Sequence, residues 1–261
     1  MRMKAGRVIT YILGLSLLFS PFFNCRGREE KREFGVLTAL ANKYKTDKGS
    51  SGKHGHGYAE VYEYFFYPIK DGVKKVLEIG VAEGASLKMW KDYFPKATIY
   101  GIDIKDKSRL NSKTIKTFVA DQADRKKLQE FIDASGSGFD IILDDGGHSM
   151  EQQQVSMGYL FSHLKRGGFY IIEDVHTSLD TRFRSSDGVA AGEENTTLAM
   201  IDNFIRTGNI KSQYMTPKEE NYLTSHITFC DLLSRNKGHS IACIFKKLGP
   251  SKTQPSPEKN F

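Results

Sequence analysis

The sequence predicts an α/β protein with an open, mostly parallel sheet, helices on both faces and an antiparallel hairpin at its C-terminal side. Three observations lead there. Short apolar runs alternate with stretches of helical spacing between Lys75 and Ile172, the pattern of parallel strands buried on both faces. The first run passes into a glycine-containing strand–helix turn, Gly80 to Ser86. Near the end, two further apolar runs flank Ser234-Arg235-Asn236-Lys237-Gly238, a turn signal.

Taken in order, Lys75 to Gly80 reads as a buried strand and Ser86 to Phe94 as a helix with Leu87, Trp90 and Phe94 on one side. Thr98 to Ile104 and Ile115 to Val119 are the next strands, followed by helical spacing over Asp124 to Ala134 through Leu128, Phe131 and Ile132. Phe139 to Leu143 is a fourth strand, Met150 to Leu164 a helix and Phe169 to Ile172 a fifth strand; His226 to Leu233 and His239 to Phe245 form the hairpin. Aromatic residues from Tyr62 to Tyr67 are read as packing a helix against the sheet. The stretch from Thr181 to Tyr222 carries no recognisable pattern.

Composition agrees with one folded domain. Of 261 residues, 39% are hydrophobic and 26% charged, with 24 Gly and 7 Pro, which excludes collagen-like, coiled-coil and wholly disordered chains. The net charge of +7 is concentrated at the ends: residues 1–32 carry seven basic side chains against two acidic ones. Residues 33–250 are nearly neutral, so no broad electrostatic nucleic-acid surface is expected. Three Cys, at 25, 230 and 243, make neither a disulfide framework nor a zinc site, and Cys230 and Cys243 are expected as core residues.

Three segments follow. In residues 1–32, Arg2, Lys4 and Arg7 precede an uncharged run from Val8 to Phe23 and a second basic cluster. This reads as a secretory signal or short membrane anchor, and Cys25 adds the alternative of a lipoprotein processing site. As a helix the sixteen-residue run spans about 24 Å, less than a hydrocarbon core of about 30 Å. Residues 33–250 form the domain. Residues 251–261, rich in Ser, Lys, Pro and Gln, read as a disordered tail.

An open α/β sheet presents ligands at the carboxyl ends of its strands, and the polar residues gather there. Glu78, Gly80 and Gly84 surround the first strand–helix turn, where small residues let a ligand approach the helix N-terminus. Asp103 ends the second strand, where a carboxylate can hold a ribose diol. Asp121 and Gln122 follow the third strand and can reach an adenine edge, or Asp121 or Asp124 caps the next helix. Asp144, Asp145 and His148 follow the fourth strand and Glu173 with Asp174 the fifth. So many carboxylates at neighbouring strand ends call for a counter-charge. A hard divalent cation fits, with His148 placed to take a proton from a bound hydroxyl; a solvated acidic rim without metal is the alternative.

With these residues in view, Leu40 to Asp180 resembles class I S-adenosylmethionine-dependent methyltransferases. It is closest to the sugar O-methyltransferases of the mycinamicin, macrocin and rhamnosyl type, related to the cephalosporin hydroxylase family. The markers are Tyr44 to Gly49, Tyr58 with Tyr62-Glu63, Leu77 to Val81, Ser86 to Trp90, Tyr93 to Pro95 with Ile99 to Asp103, Asp121-Gln122, Asp144 to His148 and Ile172 to Asp174. The resemblance implies a Rossmann-like sheet, S-adenosyl-L-methionine and Mg²⁺ or another divalent cation as cofactors, and an O-methyltransferase acting on a sugar hydroxyl of a glycan, glycolipid or glycosylated small molecule. It implies Gly80 and Gly84 at the methionine part of the cofactor with Glu78 beside them, Asp103 at the ribose, Asp121 and Gln122 at the adenine, and Asp145, Glu173 and Asp174 as metal ligands. His148 matches the general base, a role given to Asp145 in close relatives. Thr46 to Gly49 and His54 to Tyr58 match a portion that closes over the site, without individual roles. The chain departs from the family pattern at Ala82, where a second glycine is usual, and at Gly147, where a serine is usual.

S-adenosylmethionine is a cytoplasmic metabolite. A domain tethered to the membrane by its N-terminal segment and facing the cytoplasm is therefore expected. An exported lipoprotein that keeps the fold as a binding module is the alternative, and a catechol-like acceptor a third reading. A homo-oligomeric state is left open.

Overall fold

Apolar alternation decides which residues line each face of the sheet, and the computed structural model follows it closely. It describes residues 34–51, 55–180, 185–186, 189–190, 192–235 and 240–249. The anchor or signal segment, Cys25, His54, the hairpin turn at 236–239 and the tail 251–261 lie outside the described residues. From Phe34 onward these form one compact unit.

Two helices precede the sheet, α1 (Val36–Tyr44) and α2 (Tyr58–Phe66). Then follow β1 (Lys75–Ile79), α3 (Ala85–Tyr93), β2 (Thr98–Asp103), β3 (Ile115–Val119), α4 (Arg125–Ser135), β4 (Phe139–Asp144), α5 (Met150–Leu160) and β5 (Leu164–Ile172). A short backbone ladder, β6 (Ser185–Ser186) with β7 (Val189–Ala190), leads to α6 (Thr197–Thr207) and α7 (Pro217–His226). The long hairpin β8 (Ile227–Arg235) and β9 (Ser240–Lys247) ends the described chain.

The seven-stranded sheet has the order β3-β2-β1-β4-β5-β9-β8. The first five strands are parallel; β9 enters antiparallel beside β5, and β8 pairs antiparallel with β9. The expected architecture is therefore present, with β5 beginning earlier than its apolar run. The chain reverses direction across the sheet between β1 and β4, so the loops after these strands diverge and open a crevice at their carboxyl ends.

Two cores flank the sheet. Leu77, Ile79, Ile142, Tyr170 and Ile172 face α4 to α7, while Val76, Ile141, Leu143 and Ile171 face α1 to α3. Period-2 alternation then places Glu78 and Glu173 on the α1–α3 side and Asp144 on the α4–α5 side. Trp90, Phe66 and Phe94 pack on the α1–α3 side with ring centroids 5.7 to 6.2 Å apart. No helix among the described residues is long and apolar enough to cross a membrane.

Helix α1 is tied to α2 by a buried carboxylate. Glu63 accepts hydrogen bonds from the backbone N–H of Gly35 at 2.7 Å and of Leu37 at 3.2 Å, satisfying donors at the start of α1 that its N-cap residue, Gly35, has no side chain to cap. Glu63→Ala should cost about 2 kcal/mol by stranding these donors, with Glu63→Gln recovering part of the loss; urea denaturation of the two variants measures it.

Candidate active site

The crevice encloses a cavity of about 720 Å³, lined by the Gly80–Glu83 loop, the ends of β2 and β3, Asp145 to His148 and Lys45 to Lys48. Gly80 sits at φ 83°, and a Cβ there would collide with the carbonyl oxygen of Asp145. The first glycine is thus required by the close passage of the β4 loop. Ala82, at the family's usual second glycine, takes φ 45°, a left-handed conformation that costs an L-residue about 1 kcal/mol.

Asp103 helps to hold that loop: its Oδ2 accepts from the N–H of Val81 at 3.0 Å and of Ala82 at 3.2 Å, and its Oδ1 from Lys105 N–H at 2.9 Å. Asp124, not Asp121, caps α4, accepting from the N–H of Lys126 and Lys127. Asp121 lines the cavity and accepts from Ala123 N–H at 2.9 Å. Gln122 also lines it, but both ends of its amide are engaged. Its Nε2 donates to Asp144 at 3.0 Å and its Oε1 accepts from Gly147 N–H at 2.8 Å.

Glu78 requires a correction. It does not line the cavity; strand alternation turns it into the α3 side, where it is fully buried and accepts from the Ser86 hydroxyl at 2.6 Å. Burial pushes its carboxyl up to about 7, against the pull of Lys48. Asp144 is likewise buried, on the opposite face, with Ser156, Gln122 and Tyr170 around its carboxylate. Burial raises it to about 6.

The remaining acids meet around a lysine that sequence reasoning left without a role. Lys48, 1% exposed, touches the Asp145 carboxylate and lies 3.1 Å from Glu173, 3.5 Å from Glu78 and 3.7 Å from Asp47. Burial would lower the ammonium's pKa, but the four carboxylates outweigh it and hold the pKa well above its usual value. Burial drives Glu173 well above the ordinary carboxyl range and raises Asp145, each opposed by Lys48.

Two tyrosines were also unassigned. Tyr62 donates to Glu173 Oε1 at 3.0 Å and Tyr58 to Asp174 Oδ1 at 3.1 Å. His148, at φ 59°, brings Nε2 to 3.7 Å from Asp174 Oδ2 and 4.0 Å from Asp145 Oδ1, while its carbonyl accepts from the Thr177 hydroxyl. A signal for the tyrosines was present: at i and i+4 they share one helical face.

Among the described residues, Asp145, His148 and Asp174 each offer an atom within 4.8 Å of the others. This half-buried set fits a divalent cation, two carboxylate oxygens being the donors that hard ions prefer. Of the expected ligands, Asp145 and Asp174 thus stand together, while Glu173 lies behind them on Lys48 and Tyr62. At Gly147, the other departure, an added Cβ would meet the Gln152 side chain, which closes the capping box of α5 with Ser149. Cys230 and Cys243 are free thiols with their sulfurs 3.3 Å apart on the hairpin.

No family model matches the chain. Among curated proteins it is 38% identical over 162 residues to the 8-demethyl-8-alpha-L-rhamnosyl tetracenomycin-C 2'-O-methyltransferase of Streptomyces olivaceus, covering 59% of this chain and 42% of that protein. It is 29% identical over 226 residues to the L-olivosyl-oleandolide 3-O-methyltransferase of Streptomyces antibioticus, covering 84% and 58%. To the mycinamicin VI 2''-O-methyltransferase of Micromonospora griseorubida it is 37% identical over 149 residues, covering 54% and 36%. The chain spans about half the length of the curated relatives it matches. Among solved structures, the MycE methyltransferase of the mycinamycin biosynthetic pathway, in complex with Mg, SAH and mycinamycin VI, superposes with a TM-score of 0.67 at 27% identity. That match covers 85% of this chain and 57% of the other.

Two outcomes are expected from the buried charges. Lys48→Met strands at least three carboxylates and should cost about 3–5 kcal/mol, read as a drop in urea midpoint. For Glu78 and Asp144 the folded pKa values, about 7 and about 6, exceed the ordinary 4.5 and 3.8, so the folded form retains protons the unfolded chain has released. Their contribution is fully present below about pH 4 and is lost progressively as pH rises from there to about 7. Glu78→Gln should flatten the fall of melting temperature across that window.

Proposed function

We propose, from its class I methyltransferase fold and its kinship in sequence with the sugar O-methyltransferases, that this chain transfers a methyl group from S-adenosylmethionine to a sugar hydroxyl. The acceptor would be a glycosylated small molecule or a related glycan or glycolipid. The observation that carries the reading is His148 Nε2 within 4.0 Å of both Asp145 and Asp174, at the floor of the cavity that begins at the Gly80 loop. The relatives named above are enzymes that act on sugars, which favours this acceptor over a catechol-like diol and an enzyme over a binding module.

In this reading the Gly80–Gly84 turn gives the donor's methionine end a close approach to the backbone, and Asp103 and Asp121 stand where its ribose and adenine would lie. Asp145 and Asp174 would hold a divalent cation, which supplies Lewis acidity to an acceptor hydroxyl. His148 accepts the hydroxyl proton at Nε2, which stands 3.7 Å from Asp174 Oδ2 and 4.0 Å from Asp145 Oδ1. The Gly-loop wall and the acid floor set donor and acceptor against each other, and positioning supplies much of the rate. Because the donor is made in the cytoplasm, the domain faces that side in this reading, with residues 1–32 as its membrane attachment.

Calorimetry with S-adenosylmethionine, with and without Mg²⁺, tests the donor and ion together; a folded sample that takes up neither at millimolar supply rejects the proposal. Asp145→Asn is expected to leave donor binding within a few-fold while turnover on a sugar acceptor drops by about two orders of magnitude or more. Equal turnover in variant and parent would remove Asp145 from the mechanism.

A further inference from the structure

The two tyrosines of α2 are placed in a way that packing alone does not require. Tyr58 and Tyr62 are one helical turn apart, fully buried, with ring centroids 5.8 Å apart. Their hydroxyls go to two different carboxylates that are neighbours in sequence, Asp174 and Glu173. Adjacent residues in an extended strand point to opposite faces, and one helix face would not ordinarily reach both. Asp174 makes it possible by leaving the strand in the left-handed region, at φ 55°. A second contact holds the upper tyrosine: the His56 ring stacks on Tyr58 at 5.2 Å with an interplanar angle of 9°, and His56 Nδ1 lies 2.5 Å from the buried Ser240 hydroxyl on β9.

The consequence falls on the remaining oxygens. With Oδ1 of Asp174 taken by Tyr58, Oδ2 is the one turned toward His148 Nε2, at 3.7 Å. With Oε1 of Glu173 taken by Tyr62, Oε2 remains with Lys48 at 3.1 Å. Buried hydroxyls are costly unless bonded, and phenylalanine rings would fill the same space without that demand.

We infer that Tyr58 and Tyr62 are positioning residues that set the affinity of the acid floor for a divalent cation, Tyr58 by orienting Asp174 and Tyr62 by keeping Glu173 on Lys48. The inference rests on the ion-binding reading above and concerns what tunes it. Partners that orient a ligand from behind are worth about 10- to 100-fold in metal affinity. Tyr58 should sit at the lower end of that range, since its hydroxyl restrains one of two carboxylates. Tyr62 should matter less, since Glu173 keeps Lys48.

Tyr58→Phe and Tyr62→Phe delete a hydroxyl and keep the ring, so folding is preserved. Mn²⁺ binding followed by electron paramagnetic resonance, with S-adenosylhomocysteine binding by calorimetry on the same samples, reads the effect without turnover. Tyr58→Phe is expected to weaken Mn²⁺ about tenfold and Tyr62→Phe about threefold, with the nucleoside ligand held within about twofold in both. Mn²⁺ affinity in Tyr58→Phe within about threefold of the parent overturns the inference, as does a parallel loss of both ligands, which would mark general damage. A parent that takes up no Mn²⁺ sinks the ion-binding reading and this inference together. A parent that binds it alongside an unaltered Tyr58→Phe sinks the inference alone.

Discussion

A buried ammonium among carboxylates is the interaction on which the site depends. At about 4 Å and an effective dielectric of 20, each ion pair contributes about 4 kcal/mol of attraction, and removing two charges from water costs several kcal/mol per ion. Lys48 meets that cost by serving Asp145, Glu173, Glu78 and Asp47 at once. Without it, Glu78 and Glu173, which strand alternation drives onto one face, would repel each other beneath the cavity. The acids can therefore gather at the strand ends with Lys48 as their counter-charge. Asp145 is shared between two regimes: one oxygen faces Lys48 in the interior, the other faces His148 at the cavity.

The sheet was legible in the sequence because parallel strands buried on both faces are short apolar runs, and their ends mark where ligands go. Gly80, Asp103, Asp121, Asp145, His148 and Asp174 could be named from position alone. Helices α1, α6 and α7 were not legible, and α2 only in its aromatic C-terminal half, since their apolar faces are set by partners distant in the chain. Lys48 and Asp145 are 97 residues apart, and nothing local to either announces the pair. The misplacement of Glu78 has the same origin: it stands next to the glycine turn in sequence, but the pleat sends its side chain the other way. Alternation along β1 and β5 would have told Glu78 and Glu173 from Asp144, had face been weighed along with position.

The departures from the family pattern acquire a local account. Ala82 accepts a left-handed backbone that glycine would take freely, and Asp103 holds its N–H, so that strain and restraint meet at one residue. Gly147 leaves the space that Gln152 fills while capping α5, so the usual serine would have to displace a side chain that starts the helix after His148.

Gln122 follows the third strand, yet one end of its amide braces the buried Asp144 and the other holds the N–H of Gly147, next to His148. The cavity wall after the third strand and the loop bearing the imidazole are thereby fastened by a single side chain. Divergence in such a chain cannot treat positions 122, 144 and 147 separately. A shorter residue at the first would unfasten the turn at the third and take one partner from the acid at the second, so changes there are coupled.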